Sequence, residues 1–229
     1  MIPKKNEGHR DRLRARYLQA GEDGFPDYDL LELLLTYAVH RQDVKPAARD
    51  LLARFHDIGG LMDARMEDLC QVKGIGPNSA LLFTLIRDIC SRYLESKTKH
   101  TDVLSSPEAV QSYARMRLAA YPDEVMLVIY LDVKNQVIRS EIIAHGTVDS
   151  AVVFPRNVVE GALKNKAASV ILVHNHPSGI TQPSPADRRF TSGLQEALAT
   201  LEIKLLDHLI VSRTSAYSFR DHNLLEQRL

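Results

Sequence analysis

Two histidines and an aspartate stand close together near the end of the chain, in His174-Asn175-His176-Pro177-Ser178-Gly179 followed by Ser184-Pro185-Ala186-Asp187. At the end of a strand, residues i and i+2 point to the same side. His174 and His176 can therefore aim both imidazoles at one ion. Asp187 falls in the first turn of a following helix, and the loop between can return its carboxylate to the same ion. Two histidines and one carboxylate leave a fourth tetrahedral position free for water, the ligand pattern of a catalytic metal site rather than a structural one. The positive end of the helix dipole favours an ionised Asp187, as ligation requires. Ser184-x-x-Asp187 taken alone is a capping box, and a lone strand-end histidine is usually structural. The conjunction is what favours a metal, and Ser184 can cap the helix while presenting its hydroxyl to the site.

These residues need a buried strand before them and a helix after them. Ser169–His174 is a continuous apolar strand, residues 177–183 form a Pro/Gly/Ser-rich loop, and a helix is expected from about Pro185 to Thr200, then a strand over Ile203–Ser212. Upstream, a helix starts at Pro107 and runs to about Arg117. Val125–Leu131 follows as a buried strand, and Lys134-Asn135 turns into Val137–Ala144. An extended stretch near Val148–Phe154 leads to a helix from Pro155 to about Lys166. Interleaved strands and helices predict an α/β domain with a mixed sheet over 107–229. Residues 97–106 lie in a polar stretch without periodicity and are expected as a linker. Residues 1–96 predict an all-α domain: Asp29 caps Leu30–Val39, Lys45–Phe55 is helical, Ile58-Gly59-Gly60 breaks the pattern, and Gly74-Ile75-Gly76 precedes a helix from Pro77 to about Tyr93.

The 229 residues are 45% hydrophobic and 25% charged, enough to bury a core without covalent staples. Cys70 and Cys90 make no framework and are expected as small buried residues. There is no signal-like start and no run of ~20 apolar residues, so a cytoplasmic protein with no membrane partner is expected. Basic and acidic residues balance at 29 each, which argues against strong phosphate neutralisation. The six basic residues within 1–16 are expected as a solvated helix face.

The run His-x-His-x7-Ser-x-x-Asp resembles the JAB/MPN metalloprotease signature position for position. Most of the chain, including Val72-Lys73-Gly74-Ile75-Gly76 and Leu206-Asp207-His208, resembles the RadC family, bacterial proteins traditionally labelled as DNA-repair proteins. That resemblance implies an N-terminal helix-hairpin-helix domain, a C-terminal JAB/MPN-like domain, and one zinc ion on His174, His176 and Asp187. It implies that Ser184 steadies the oxyanion of a tetrahedral intermediate and that a glutamate on an earlier strand acts as general acid/base. Glu124 is assigned to that role, with Glu141 as the fallback. The implied activity is hydrolysis of peptide or isopeptide bonds in a protein or peptide substrate.

Lys73, Gly74, Ile75 and Gly76 could contact a DNA backbone through N–H groups, weakly and with strong salt dependence; their plainer role is a helix connector. The alternative function is therefore a DNA-associated protein whose metal is structural or acts on nucleic acid. His208 could orient a ligand from behind, but a core or edge histidine is the favoured reading.

Overall fold

The computed structural model describes residues 8–20, 25–39, 42–98, 102–103, 106–146 and 155–225. Its contacts divide into two compact units, 1–87 and 88–229. The division falls inside one helix, Pro77–Thr98. Of the stretch expected as a linker, residues 99–101 and 104–105 lie outside the described residues, as do 147–154, where an extended segment is expected.

The N-terminal unit is helical: α1 (His9–Ala20), α2 (Asp27–Ala38), α3 (Lys45–Phe55), α4 (Ile58–Met62), α5 (Met66–Cys70) and the start of α6 (Pro77–Thr98). Leu31, Leu35, Leu51, Leu61, Leu69, Ile75 and Phe83 meet in its core. Three sequence expectations are corrected here. Helix α2 begins two residues before Asp29, which lies in its first turn with Pro26 at the cap. Ile58-Gly59-Gly60 does not break a helix but starts one, because the Asp57 carboxylate accepts the Gly60 N–H at 2.7 Å and offsets the glycines' poor propensity. Cys70 and Cys90 are free and only half-buried. Arg10 donates to the carbonyls of Thr36, Val39 and Gln42, so at least one member of the basic N-terminal cluster closes the end of α2.

The C-terminal unit is a five-stranded mixed sheet between helices. Its elements are α7 (Pro107–Leu118), β1 (Val125–Leu131), β2 (Val137–His145), α8 (Pro155–Lys164), β3 (Ser169–Asn175), α9 (Pro185–Ala199), β4 (Lys204–Val211) and β5 (Ala216–Ser218). The strand order is β2-β1-β3-β4-β5. Only β3 and β4 run parallel, joined through α9; the other neighbours are antiparallel. Strands β1 and β3 are buried along their whole length, as continuous apolar runs covered on both faces should be. Alternation sends Val125, Leu127, Ile129, Ile171 and Val173 to one face, under Val110, Tyr113 and Leu118 of α7. It sends Met126, Val128, Tyr130, Val170 and Leu172 to the other, under Val158 and Ala162 of α8 and Leu194 and Leu198 of α9. His174 of β3 sits where this second face ends. No helix among the described residues is long and apolar enough to cross a membrane.

Candidate metal centre

His174 lies in β3 opposite Met126 of β1 and beside Ile210 of β4. It shares the face of Val170 and Leu172 and is 1% exposed. His176 follows the strand, its N–H still bonded to Val211 O at 2.9 Å, so the i, i+2 geometry persists one residue past the sheet. Helix α9 supplies the third group. Its buried positions Asp187, Thr191, Leu194 and Leu198 form one stripe, in which the first two replace apolar residues where the helix reaches the end of β3.

The sequence-predicted ligands come together. Nε2 of His174 lies 2.9 Å from Nε2 of His176 and 3.3 Å from Asp187 Oδ1, and His176 Nε2 lies 3.7 Å from Asp187 Oδ2. All three ligand atoms fall within 4.8 Å of one another, a group able to hold a metal ion. Ligands at about 2.0–2.2 Å around a tetrahedral centre stand about 3.3–3.6 Å apart; the His174–Oδ1 separation matches this, and the other two lie on either side of it, the longer one measured to the carboxylate's second oxygen. The hydrogen bonds agree. His176 Nδ1 lies 2.6 Å from Ile180 O, an atom that only accepts, so Nδ1 carries the proton and leaves Nε2 bare when the ring is neutral. Nδ1 of His174 is likewise engaged away from the group, 2.8 Å from His208 Nε2.

Ser184 and Asp187 form the capping box in full. Ser184 Oγ accepts the Asp187 N–H at 3.1 Å, while Ser184 N–H and O–H donate to Asp187 Oδ2 at 2.7 and 2.6 Å. One carboxylate thus serves both the cap and the group: Oδ2 takes both serine donors and Oδ1 faces His174. Burial would raise the Asp187 carboxyl, but the nearby His174 imidazole and the two bonds from Ser184 outweigh it and hold it well below the ordinary range. Ser184 is exposed and His176 half-buried, so the group opens to solvent on their side.

Glu124 precedes β1 by one residue and Met126 by two, so alternation puts it on the face of Met126 and His174. Its carbonyl accepts the Gly146 N–H at 2.7 Å. Glu141 stands opposite Val128 on β2, one strand further out, and pairs with Arg139 at 2.7 Å. Lys73 and Gly74–Gly76 connect α5 to α6. Gly74 has φ +88°, a left-handed conformation that favours glycine, while Ile75 plugs into the core.

His208 is a core histidine, the favoured reading, and it also lies against His174. It is 1% exposed, bonds His174 on one side and Thr191 on the other, and stacks on Phe219 at 4.5 Å. Burial pushes its ring well below the usual histidine range. Asn175, which sequence reasoning missed, ties the segment before β1 to β3 through three hydrogen bonds.

A family model described as RadC-like JAB domain matches residues 104–224, and one described as UPF0758 N-terminal matches residues 5–81. A UPF0758 protein of Pseudoalteromonas translucida is 36% identical over 214 residues, covering 93% of this chain and 96% of that protein. One from Methylibium petroleiphilum is 39% identical with the same coverage. Another from Paraburkholderia xenovorans is 37% identical over 91% of this chain and 83% of its own length.

Proposed function

Since this chain belongs to the RadC-like JAB domain family, we propose that it is a zinc-dependent hydrolase of peptide or isopeptide bonds, with His174, His176 and Asp187 as the ligands. The observation that supports this most is the convergence of two imidazole nitrogens and a carboxylate oxygen on one small space. Such atoms repel one another unless a cation or proton lies among them. A set of two nitrogens and one oxygen suits zinc better than magnesium or calcium.

A zinc ion held by these residues would supply Lewis acidity: it would polarise a scissile carbonyl and make water acidic enough to act near neutral pH. The remaining chemistry falls to the chain. Glu124, on the face of His174, takes the proton from the attacking water and delivers it to the leaving amine. Glu141 is committed to Arg139 and is the poorer choice. Ser184 donates its O–H to the oxygen that gains charge as the carbonyl is attacked. To do so it releases Asp187 Oδ2, which keeps the Ser184 N–H.

Metal content of the purified chain beside Asp187→Ala, with peptide and isopeptide substrates offered with and without chelator, tests this. Near-stoichiometric zinc, its loss in the variant and chelator-sensitive cleavage are expected. No zinc in the wild type after reconstitution defeats the reading.

A second reading concerns the N-terminal unit. Asn78 and Ser79 follow Pro77 in the first turn of α6, where N–H groups lack intrahelical acceptors, beside exposed Lys73, Gly74 and Gly76. This supports weak contact with a nucleic-acid backbone, read as binding that collapses as salt rises.

A further inference from the structure

Resting on the metal reading, we infer that His208 and Thr191 are positioning residues that fix the tautomer of His174 and present its Nε2 as an unprotonated ligand. Counting hydrogens along the contacts leaves one consistent assignment. Thr191 Oγ1 lies 2.6 Å from the carbonyl oxygen of Asp187. A carbonyl only accepts, so the hydroxyl's single proton is spent there. The same Oγ1 lies 2.6 Å from His208 Nδ1 and must accept, which puts a proton on that nitrogen. His208 is 1% exposed and, among the described residues, no carboxylate hydrogen-bonds its ring, so a second ring proton would be a buried charge without a bonded counter-ion; with its one proton on Nδ1, its lone pair is on Nε2. That atom lies 2.8 Å from His174 Nδ1, which therefore donates. The proton of His174 is thereby held on the side away from the group, and the nitrogen left bare is the one 2.9 Å from His176 Nε2 and 3.3 Å from Asp187 Oδ1.

The relay closes on itself. Asp187 enters the group through its side chain and, through its carbonyl, terminates the series of bonds that orients His174. Helix α9 carries both Asp187 and Thr191 one turn apart on its buried stripe. A single helix position therefore sets one ligand and the tautomer of another. The same device serves His176 with a shorter path, Nδ1 to Ile180 O. A residue that merely filled this space against Phe219 would need the ring and not its two nitrogens.

That difference makes the inference testable on the full chain. Long-range 1H–15N correlation on metal-free, 15N-labelled protein at mildly alkaline pH reads each histidine's tautomer, and competition with a chromogenic chelator reads zinc affinity. His174 and His208 are both expected as Nδ1–H. His208→Phe keeps the ring and its stack on Phe219; it is expected to lose the single tautomer at His174 and to bind zinc about 10–100-fold more weakly. His208→Gln, whose amide oxygen can accept from His174 Nδ1, is expected to recover most of that affinity. A wild-type His174 protonated on Nε2, or a folded His208→Phe that binds zinc as tightly as wild type, overturns the inference. Should His208→Phe fail to fold, the wild-type spectrum still decides. A wild type that binds no zinc while His174 is Nδ1–H defeats the metal reading and leaves the relay standing, so the two failures are distinguishable.

Discussion

Asn175 Oδ1 accepts the backbone N–H of Val125 at 2.7 Å, and the same side chain's Nδ2 donates to the carbonyls of Asp123 and Tyr121 at 3.1 and 3.4 Å. The residue between His174 and His176 thus holds the segment that carries Glu124. Asn175→Ala leaves the buried Val125 N–H without its acceptor and is expected to cost about 1–3 kcal/mol. Because the clasp touches the Glu124 segment and not the ligands, turnover should fall while zinc affinity stays near wild type. Chemical unfolding and a zinc titration beside peptide hydrolysis check both halves. Wild-type turnover in a folded Asn175→Ala variant would show that the clasp does not position Glu124.

Ser184→Ala removes a side-chain cap from α9 and one of two serine donors to Asp187. The loss of the cap should cost about 0.5–2 kcal/mol. The Asp187 carboxyl should rise toward the ordinary range. A depressed carboxyl contributes stability above its unfolded pKa of about 3.9 and loses it as pH falls through the folded value. Acid unfolding of Ser184→Ala should therefore begin at a higher pH than in wild type. Ser184→Thr, which keeps the hydroxyl, should restore most of both. Thermal midpoints over an acid series measure this, and cleavage rates separate the cap from the oxyanion role: a folded alanine variant with full activity leaves Ser184 as a cap alone.

Much of the C-terminal unit was legible because its signals are local. Pro107, Pro155 and Pro185 each open a helix, where a missing N–H costs nothing. The apolar runs of β1 and β3 are covered on both faces. His-x-His was legible because strand parity needs no knowledge of neighbours. The register that brings His208 to His174 was not, because β4 is irregular. Val170 pairs with Leu205 but Ile171 with Asp207, so Leu206 is an extra residue. From Leu205, regular alternation would bring Asp207 to the face of His174; the shift brings His208 there instead. Nothing in Leu-Leu-Asp-His-Leu announces that bulge. The three-residue β5 is also too short to carry a period.

Tyr130 is fully buried on the face covered by α8 and α9, and its hydroxyl has no partner among the described residues. Burial first, and then the charge of Glu141, pushes its phenol up to about 12. Gly161 of α8 lies against it: a Cβ at that position would run into the phenol oxygen and the edge of the ring. Gly161→Ala is therefore expected to destabilise by about 1–3 kcal/mol despite alanine's better helix propensity. Tyr130→Phe discards an unsatisfied buried hydroxyl and should be neutral or stabilising by about 1 kcal/mol. Combined, the changes should cost less than their sum, since the phenol oxygen is part of the obstruction. Unfolding curves of the two singles and the double test this; strict additivity would place the strain elsewhere.

Asp207 accepts three hydrogen bonds, from the N–H of His208 at 2.7 Å, the N–H of Arg220 at 3.0 Å and the Ser218 hydroxyl at 2.7 Å. These tie β4 to the turn after β5. Burial nevertheless raises its carboxyl above the ordinary value, the three donors opposing it without prevailing. A carboxyl raised on folding binds protons more tightly in the folded chain. Its contribution is thus fully present below the unfolded pKa of about 3.9 and is lost as pH rises through the folded value. Asp207→Asn removes the buried charge while its amide oxygen still accepts both N–H groups and its NH2 can donate to Ser218. The variant should gain on wild type as pH rises from about 4 toward neutrality. Asp207→Ala, which leaves three donors unmatched, should be less stable at every pH. Urea unfolding at stepped pH measures the gap; a gap between Asn and wild type that widens on acidification would mean the three donors outweigh burial after all.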